Sequence, residues 1–204
     1  MELSPYALYV FFFLLFAVIH SLTAASSFKR RASIALDGGY KYYRILYNVL
    51  SVITFLPLIW ISAEYSKYAL VLYISPDFLH FPLTAVRIAC LIAAGFTFLK
   101  IDPVGFFGLK YARPKKSQNL ETKGIYGIVR HPLYLFVILF LWARPAFNML
   151  TFLEAFLFTA YFVAGSVLEE NKLVEEFGAE YRKYQKEVSM LLPLKAIKGI
   201  FYKG

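Results

Sequence analysis

Long apolar runs separated by polar segments dominate the hydrophobicity pattern along this chain. Three of them, at about 5–25, 44–63 and 83–99, have close to the roughly 20 residues that a helix needs to cross a bilayer. Two more, at about 132–142 and 149–168, are joined by a short connection. We therefore expect these two to form an antiparallel hairpin, whose first helix is short for a full span. The pattern predicts an all-α integral membrane protein with about five transmembrane helices.

The polar segments between these runs predict the orientation. Segment 26–43 has four basic residues against one acidic, and segment 101–131 has six against two. Segments 64–82 and 143–148 each contain one basic residue. Basic residues concentrate in cytoplasmic loops. The N-terminus is therefore predicted outside, with both basic loops and the C-terminal tail in the cytoplasm. Apolar positions at helical spacing over residues 173–188 predict an amphipathic helix on the membrane surface.

Composition agrees with a membrane protein and limits its partners. Of 204 residues, 59% are hydrophobic and 19% aromatic, and the mean hydropathy is +0.57. The net charge of +9 lies between apolar runs, which favours anionic lipid headgroups over nucleic acid as the partner. The single cysteine, Cys90, lies inside an apolar run. It excludes a disulfide within the chain and a metal site built on cysteine pairs, so we predict no bound metal.

The segment before the fourth apolar run contains the first candidate chemistry. Proline is favoured at the first position of a helix, so Pro132 predicts a helix start with Arg130 and His131 beside it. A helix N-terminus has unpaired N–H groups and a partial positive charge, which suits a carboxylate or a phosphate. Alternatively, Arg130 and His131 anchor the helix to lipid headgroups.

Two carboxylates form the second candidate. Glu169 and Glu170 are predicted to end the fifth helix on the cytoplasmic side, where the hairpin brings them near His131 and the Tyr134 hydroxyl. Ionisable groups at membrane depth are functional candidates, and these groups together predict a small-molecule site. The alternative is that both are ordinary helix-end charges. His20, near the end of the first run, reads as an interfacial histidine or, alternatively, as a substrate-binding group.

Several motifs in the C-terminal half resemble those of the isoprenylcysteine carboxyl methyltransferase superfamily. They are Arg130-His131-Pro132-Leu133-Tyr134, Glu169-Glu170, Phe177-Gly178-x-x-Tyr181-x-x-Tyr184 and Pro193. The resemblance covers roughly residues 95–195. Within the superfamily, Phe140-x-Trp142-Ala143-x-Pro145 is similar to the membrane methanethiol S-methyltransferases. Nearer the N-terminus, His20-Ser21-Leu22-x-Ala24 and Tyr43-Arg44-x-Leu46-Tyr47-Asn48 resemble membrane proteins linked to nitrite and nitric oxide metabolism.

The resemblance implies a membrane enzyme that uses S-adenosyl-L-methionine. Residues 1–99 would then be N-terminal transmembrane helices and residues 100–204 the catalytic region. The cofactor-binding residues carried over are Gly124, Ile125, Tyr126, Arg130, His131, Pro132, Tyr134, Glu169 and Glu170. The acceptor would be a thiol or a lipophilic, isoprenylcysteine-like compound, and no catalytic residue is identified. The active site would face the cytoplasm, from the inner membrane if the source is prokaryotic.

Two other functions remain open at this point. A non-enzymatic accessory protein of nitrogen-oxide metabolism is motivated by the N-terminal resemblance. A nicotinamide-dependent membrane reductase is motivated by a similar Arg-His-Pro motif in membrane sterol reductases, which typically have more spans than this chain predicts.

Overall fold

The computed structural model describes residues 4–35, 40–100 and 120–201, with single positions at 104 and 107. Most of the predicted basic loop 101–131, including Lys110, Arg113, Lys115 and Lys116, and the Gly38-Gly39 turn lie outside the described residues. The helices in these ranges are α1 (Pro5–Ala24), α2 (Ser26–Ala35), α3 (Tyr40–Tyr65), α4 (Asp77–Lys100), α5 (Pro132–Trp142), α6 (Met149–Phe177), α7 (Ala179–Glu187) and α8 (Leu194–Phe201). Two short strands, β1 (Val71–Ile74) and β2 (Ala146–Asn148), and two 3₁₀ turns, Ser66–Tyr68 and Gly124–Gly127, complete the regular elements of the described residues.

Four helical segments are long and apolar enough to cross a membrane, which confirms the all-α membrane class. They are Pro5–Ala24, Tyr42–Tyr68, Asp77–Lys100 and Met149–Phe177. The predicted fourth span, α5, has the expected bounds but only 11 residues, so it rises about 16 Å, roughly half the hydrocarbon thickness. The count of full-length spans is therefore four among the described residues, and the orientation of the termini stays a prediction.

The described residues form two compact units, which are considered separately. The first unit takes its residues from 1–75, 99–115 and 146–157, and the second from 76–98, 116–145 and 158–204. The assignment of residues 1–99 and 100–204 to different roles stays a prediction.

In the first unit, α1 packs along α3. Tyr9, Phe13 and Phe16 of α1 are buried, as are Leu58 and Ile61 of α3. The opposite helix faces expose large apolar side chains such as Phe11, Leu14, Val52, Leu56 and Trp60. In water such an apolar surface would be costly, but lipid tails accept it. The exposed apolar faces therefore agree with a helix pair surrounded by lipid.

The connections of the first unit are more regular than the sequence predicted. Segment 26–43, predicted as a polar connection, contains the helix α2. Segment 64–82, predicted as irregular, contains β1, which pairs antiparallel with β2 through Tyr73 opposite Phe147. The pairing provides hydrogen-bond partners for backbone N–H and C=O groups, which lipid cannot provide. Because the two strands are far apart in the chain, the pairing leaves no local signal in the sequence.

The predicted start of the third span was wrong. The sequence predicts this start at residue 83, after Pro82, but α4 begins at Asp77 and includes Pro82. Pro82 is the sixth residue of α4, so it removes one backbone hydrogen bond inside the helix, a loss that membrane helices tolerate. Asp77 in the first turn also suits the positive end of the helix dipole.

In the second unit, the predicted end of the last span was also wrong. The helix α6 continues past Glu169 and Glu170 to Phe177, because glutamate favours helix and does not end it. Gly178, with φ of +59°, separates α6 from α7. The single amphipathic helix predicted over residues 173–188 is therefore the end of α6 followed by α7.

Candidate functional site

The start of α5 is fixed by the C-terminal tail. Pro132 occupies the first helical position, as predicted, and is buried. Just before it, Val129 pairs with Ser189 in a parallel bridge. The backbone N–H of Arg130 donates to the Ser189 carbonyl at 2.9 Å, and that of His131 to the Met190 carbonyl at 3.1 Å. Two donors near the helix start are therefore used by the tail, which positions the side chains of Arg130 and His131.

Glu170 lies at the centre of a buried polar cluster. Its Oε1 accepts from Arg130 Nε and lies 2.6 Å from Arg130 Nη2. Its Oε2 accepts from Gln185 Nε2 at 2.9 Å. Arg130 Nη1 also donates to the carbonyls of Gln185 and Val188. Charge-assisted hydrogen bonds of this kind are strong, so Arg130 and Glu170 join the start of α5, the helix α6 and the tail.

His131 stands between the two neighbouring carboxylates. Its Nε2 is 3.3 Å from Glu170 Oε1, and its Nδ1 is 3.7 Å from Glu169 Oε2. The imidazole stacks on the Tyr134 ring at a centroid distance of 5.6 Å, and Tyr134 stacks on Phe162. The Tyr134 hydroxyl donates to Glu169 Oε2 at 3.0 Å. Glu169 is therefore oriented by Tyr134 and His131.

A cleft of about 210 Å³ opens beside this cluster. It contains one cation, an imidazole, two carboxylates and several aromatic or aliphatic walls. Its lining residues are Leu120, Glu121, Tyr126, Arg130, His131, Glu169, Leu173, Phe177, Tyr181 and Tyr184. A mostly apolar concave site with a few convergent polar groups is typical of small-molecule binding.

Two buried tyrosines form the wall of the cleft that the tail supplies. The Tyr184 hydroxyl donates to the Tyr126 carbonyl, which holds the 124–127 turn against α7. Burial raises the pKa of Tyr184 to about 12. Burial, reinforced by the negative charge of Glu170, also raises the pKa of Tyr181. Both side chains are therefore neutral hydrogen-bonding groups at physiological pH.

The two glutamates differ in access to the cleft. The side chain of Glu170 is 11% exposed and enclosed by partners, whereas that of Glu169 is 47% exposed and lines the cleft. The sequence could not separate them, because adjacent positions of a helix point about 100° apart and either could face the site. The structure indicates that Glu169 is open to a ligand and that Glu170 positions its neighbours.

The structure brings most of the predicted site residues together. Tyr126, Arg130, His131 and Glu169 line the cleft, and Tyr134 and Glu170 contact them. Gly124 and Ile125 belong to a 3₁₀ turn beside Tyr126, and Gly124 has φ of +62°. Tyr181, Tyr184 and Gln185 were not predicted as site residues. Their spacing in the tail was visible in the sequence, but their contacts cross tens of residues.

Comparison with known proteins assigns the family. The family described as NnrU protein matches residues 8–191. This chain belongs to the NnrU family. The match covers the α1–α3 pair as well as the cleft, so it accounts for both halves of the chain.

Relatives of this NnrU family member have names that indicate methyl transfer. Methanethiol S-methyltransferase 2 of Bradyrhizobium diazoefficiens is 33% identical over 88% of this chain and 70% of its own length. Methanethiol S-methyltransferase of Pseudomonas deceptionensis is 43% identical over 48% of this chain and 39% of its own length. Protein-S-isoprenylcysteine O-methyltransferase of Schizosaccharomyces pombe is 36% identical over 41% of this chain and 36% of its own length.

The chain thus spans less than half the length of several curated relatives that it matches. No solved structure matches it. Together with the four long apolar helices, the relatives support an integral membrane protein and confirm the resemblance to the isoprenylcysteine carboxyl methyltransferase superfamily. Within the described parts of the chain, no group of three or more His, Cys, Asp and Glu residues is placed to hold a metal ion.

Proposed function

We propose that this NnrU family member is an integral membrane methyltransferase that uses S-adenosyl-L-methionine and acts on a thiol or a lipophilic, isoprenylcysteine-like acceptor. The names of its relatives support methyl transfer. The observation that carries the proposal is a half-exposed carboxylate, Glu169, oriented by His131 and Tyr134 inside an aromatic cleft.

The residues of the cleft fit the groups of S-adenosyl-L-methionine. The cofactor has an ammonium group and ribose hydroxyls, both of which donate to carboxylates, and Glu169 is the accessible acceptor. Its adenine needs flat apolar walls, which Phe177, Tyr181 and Tyr126 provide. Its carboxylate needs a cation, and Arg130 lines the same cleft. When bound, the cofactor supplies an electrophilic methyl group.

In this proposal the residues of the chain orient the bound groups and do not activate the acceptor. Arg130 uses its guanidinium nitrogens on Glu170 and on tail carbonyls, so it contributes positive charge from a fixed position. Tyr134 and His131 hold Glu169 on the cleft side. Alignment of the acceptor with the methyl group supplies much of the acceleration in such a displacement. A thiolate or carboxylate acceptor, once ionised, needs little general-base help.

Calorimetric titration of the detergent-purified protein tests the cofactor. We expect S-adenosyl-L-methionine and S-adenosylhomocysteine to bind and NADPH not to bind. Binding of NADPH alone would instead support the nicotinamide-dependent reductase. Turnover against a panel of thiols and prenylated cysteine carboxylates then identifies the acceptor. Cofactor binding without turnover on any acceptor would favour the accessory protein, which the family match over most of the chain keeps as the second candidate.

Glu169→Gln is the decisive variant, because it removes the charge and keeps the size of the side chain. We expect the affinity for S-adenosyl-L-methionine to fall at least about tenfold, since a charge-assisted hydrogen bond is lost. Glu175→Gln is the matched control, because Glu175 is exposed on the same helix and does not line the cleft. Equal affinities of the two variants would contradict the assignment of Glu169.

A further inference from the structure

A second carboxylate, that of Glu121, lines the cleft beside Glu169. The proposed cofactor contacts do not involve it. Glu121 is exposed, and its Oε1 accepts from the backbone N–H of Lys123 at 3.1 Å. This bond orders the chain directly before the 3₁₀ turn Gly124–Gly127, which contains Tyr126. The carboxylate of Glu121 is therefore held at the rim of the cleft by the local backbone.

The two cleft carboxylates have different neighbours. Glu169 accepts from the Tyr134 hydroxyl and so faces the α5 side of the cleft. Burial raises the pKa of Tyr126, and the negative charges of Glu169 and Glu121 raise it further, so Tyr126 is near both carboxylates. Burial also raises the pKa of Tyr184, and the charge of Glu121 adds to that rise. Because Tyr184 belongs to α7, Glu121 lies on the α7 side of the cleft.

S-adenosyl-L-methionine carries two separate groups of hydrogen-bond donors, and this inference rests on its being the cofactor, as proposed above. One group is the ammonium, which shares a carbon atom with the carboxylate of the cofactor, and the other is the pair of ribose hydroxyls. The sulfonium and several covalent bonds separate the two groups. A single protein carboxylate is too small to contact both at once. The cofactor therefore needs two acceptors in the cleft if neither donor group is to stay unpaired.

The neighbours of the two carboxylates decide which donor group suits each one. Arg130 is the cation for the cofactor carboxylate, and the ammonium on the same carbon atom must lie close to it. Glu169 Oε2 lies 3.7 Å from Nδ1 of His131, the residue that follows Arg130 at the start of α5. Glu169 is therefore placed to accept from the ammonium, which leaves the ribose hydroxyls for Glu121 on the α7 side.

We infer that Glu121 binds the two ribose hydroxyls of the cofactor, while Glu169 binds its ammonium group. Neighbouring hydroxyls can donate to the two oxygens of one carboxylate, and such charge-assisted hydrogen bonds are strong. An ionised carboxylate has about four acceptor positions, so the bond from Lys123 leaves room for both hydroxyls. Glu121 is then a specificity-determining residue, since it selects a ligand with an intact ribose.

Calorimetric titration of the purified full-length protein with two probes tests this assignment. S-adenosylhomocysteine has both donor groups, whereas methylthioadenosine has the ribose hydroxyls and lacks the ammonium. We expect Glu121→Gln to weaken the binding of both probes about tenfold, because charge-assisted bonds become neutral ones. We expect Glu169→Gln to weaken S-adenosylhomocysteine at least about tenfold and methylthioadenosine by less than about twofold. The glutamine oxygen at position 121 can still accept from Lys123, so the turn is kept.

Glu180→Gln is the matched control, because Glu180 is exposed on α7 and does not line the cleft; both affinities should stay within about twofold. Equal affinities of Glu121→Gln and this control overturn the inference, as does a loss confined to S-adenosylhomocysteine, which would assign the ammonium to Glu121. Failure of methylthioadenosine to bind the unaltered protein also overturns it. In these cases binding of S-adenosylhomocysteine to the unaltered protein leaves the proposed function intact. If the unaltered protein binds neither probe, the proposed function fails and the inference fails with it.

Discussion

Adjacent residues of α6 have different roles at the scale of single side chains. Glu170 contacts Arg130, His131 and Gln185 in a nearly closed environment, whereas Glu169 contacts Tyr134 and His131 and faces the cleft. A buried charge is stable only while its partners remain, and an exposed one contributes little to folding. Stability and ligand affinity should therefore respond to different glutamates.

We expect Glu170→Gln to lower the free energy of unfolding by roughly 3 kcal/mol, because it leaves the buried Arg130 guanidinium without its counter-charge. Thermal unfolding of the purified protein followed by circular dichroism measures this loss. Glu169→Gln is the comparison and should change stability by less than about 1 kcal/mol. A larger destabilisation by Glu169→Gln than by Glu170→Gln would contradict the division of roles.

Tyr184 makes stability depend on alkaline pH. Its pKa is raised by burial to about 12 from an ordinary value near 10. Below pH 10 both states keep the proton, so its contribution is complete. Between pH 10 and about 12 the unfolded state releases the proton that the folded state retains, so the free energy of unfolding falls as pH rises.

We expect the fall in the free energy of unfolding to be on the order of 2 kcal/mol for Tyr184 alone. Tyr184→Phe should remove this alkaline fall. At neutral pH the same variant should lower the free energy of unfolding by about 1 kcal/mol, because the Tyr126 carbonyl loses its hydrogen-bond donor. Denaturation at a series of pH values, with phenolate absorbance as a second signal, measures both effects. Tyr68→Phe is the control, because Tyr68 is 75% exposed. An unchanged alkaline profile in Tyr184→Phe would refute the assignment.

At the scale of elements, the break between α6 and α7 sets the direction of the tail. Gly178 has φ of +59° and ψ of −125°, a combination accessible in practice only to glycine. The tail beyond it supplies Tyr181 and Tyr184 to the cleft and the carbonyls that fix Arg130. A change of backbone geometry at Gly178 should therefore affect both folding and the site.

Gly178→Ala should destabilise the protein by about 1–3 kcal/mol through backbone strain alone, because a Cβ at this position would meet no atom within 4 Å. Cofactor affinity should fall as well, since the tyrosine wall would shift. Unfolding and calorimetric binding measure the two effects. Gly165→Ala is the matched control, because Gly165 lies inside α6 with equally open surroundings and should tolerate the change. Equal stability of both variants would rule out the strain.

The sequence predicted elements well where the signal was local. Pro132 identified the start of α5, and apolar length identified the long spans. The predicted end of α6 at Glu169 and Glu170 is wrong, because glutamates favour helix and α6 continues to Phe177. Two long-range contacts could not be predicted, because their partners lie more than 50 residues apart. They are the pairing of β1 with β2 and the hydrogen bonds from Arg130 to carbonyls of the tail. The two glutamates were found, and only packing distinguished them.

At the scale of the whole molecule, the short helix α5 decides the topology. It lies antiparallel to α6 in the second unit. At its start His131 lies beside Glu170, and at its end Trp142 Nε1 donates a hydrogen bond to Thr159 Oγ1. Its 11 residues cover about half a bilayer. If α5 and the segment after it together complete a crossing, the chain crosses an odd number of times and its ends lie on opposite sides. If they do not, four spans leave both ends on one side.

The basic loops favour the first arrangement, with the N-terminus outside and the C-terminus in the cytoplasm. The chain has one cysteine, so a Cys90→Ser background allows single introduced cysteines to report position. In spheroplasts, a membrane-impermeant maleimide should label Ser4→Cys directly and Glu187→Cys only after permeabilisation, because both positions are exposed in the fold. Labelling of both without permeabilisation, or of neither, would place the ends on one side. If both are labelled, the tail lies on the outer side, and the site beside Glu169 would need another account of its access to the cytoplasm.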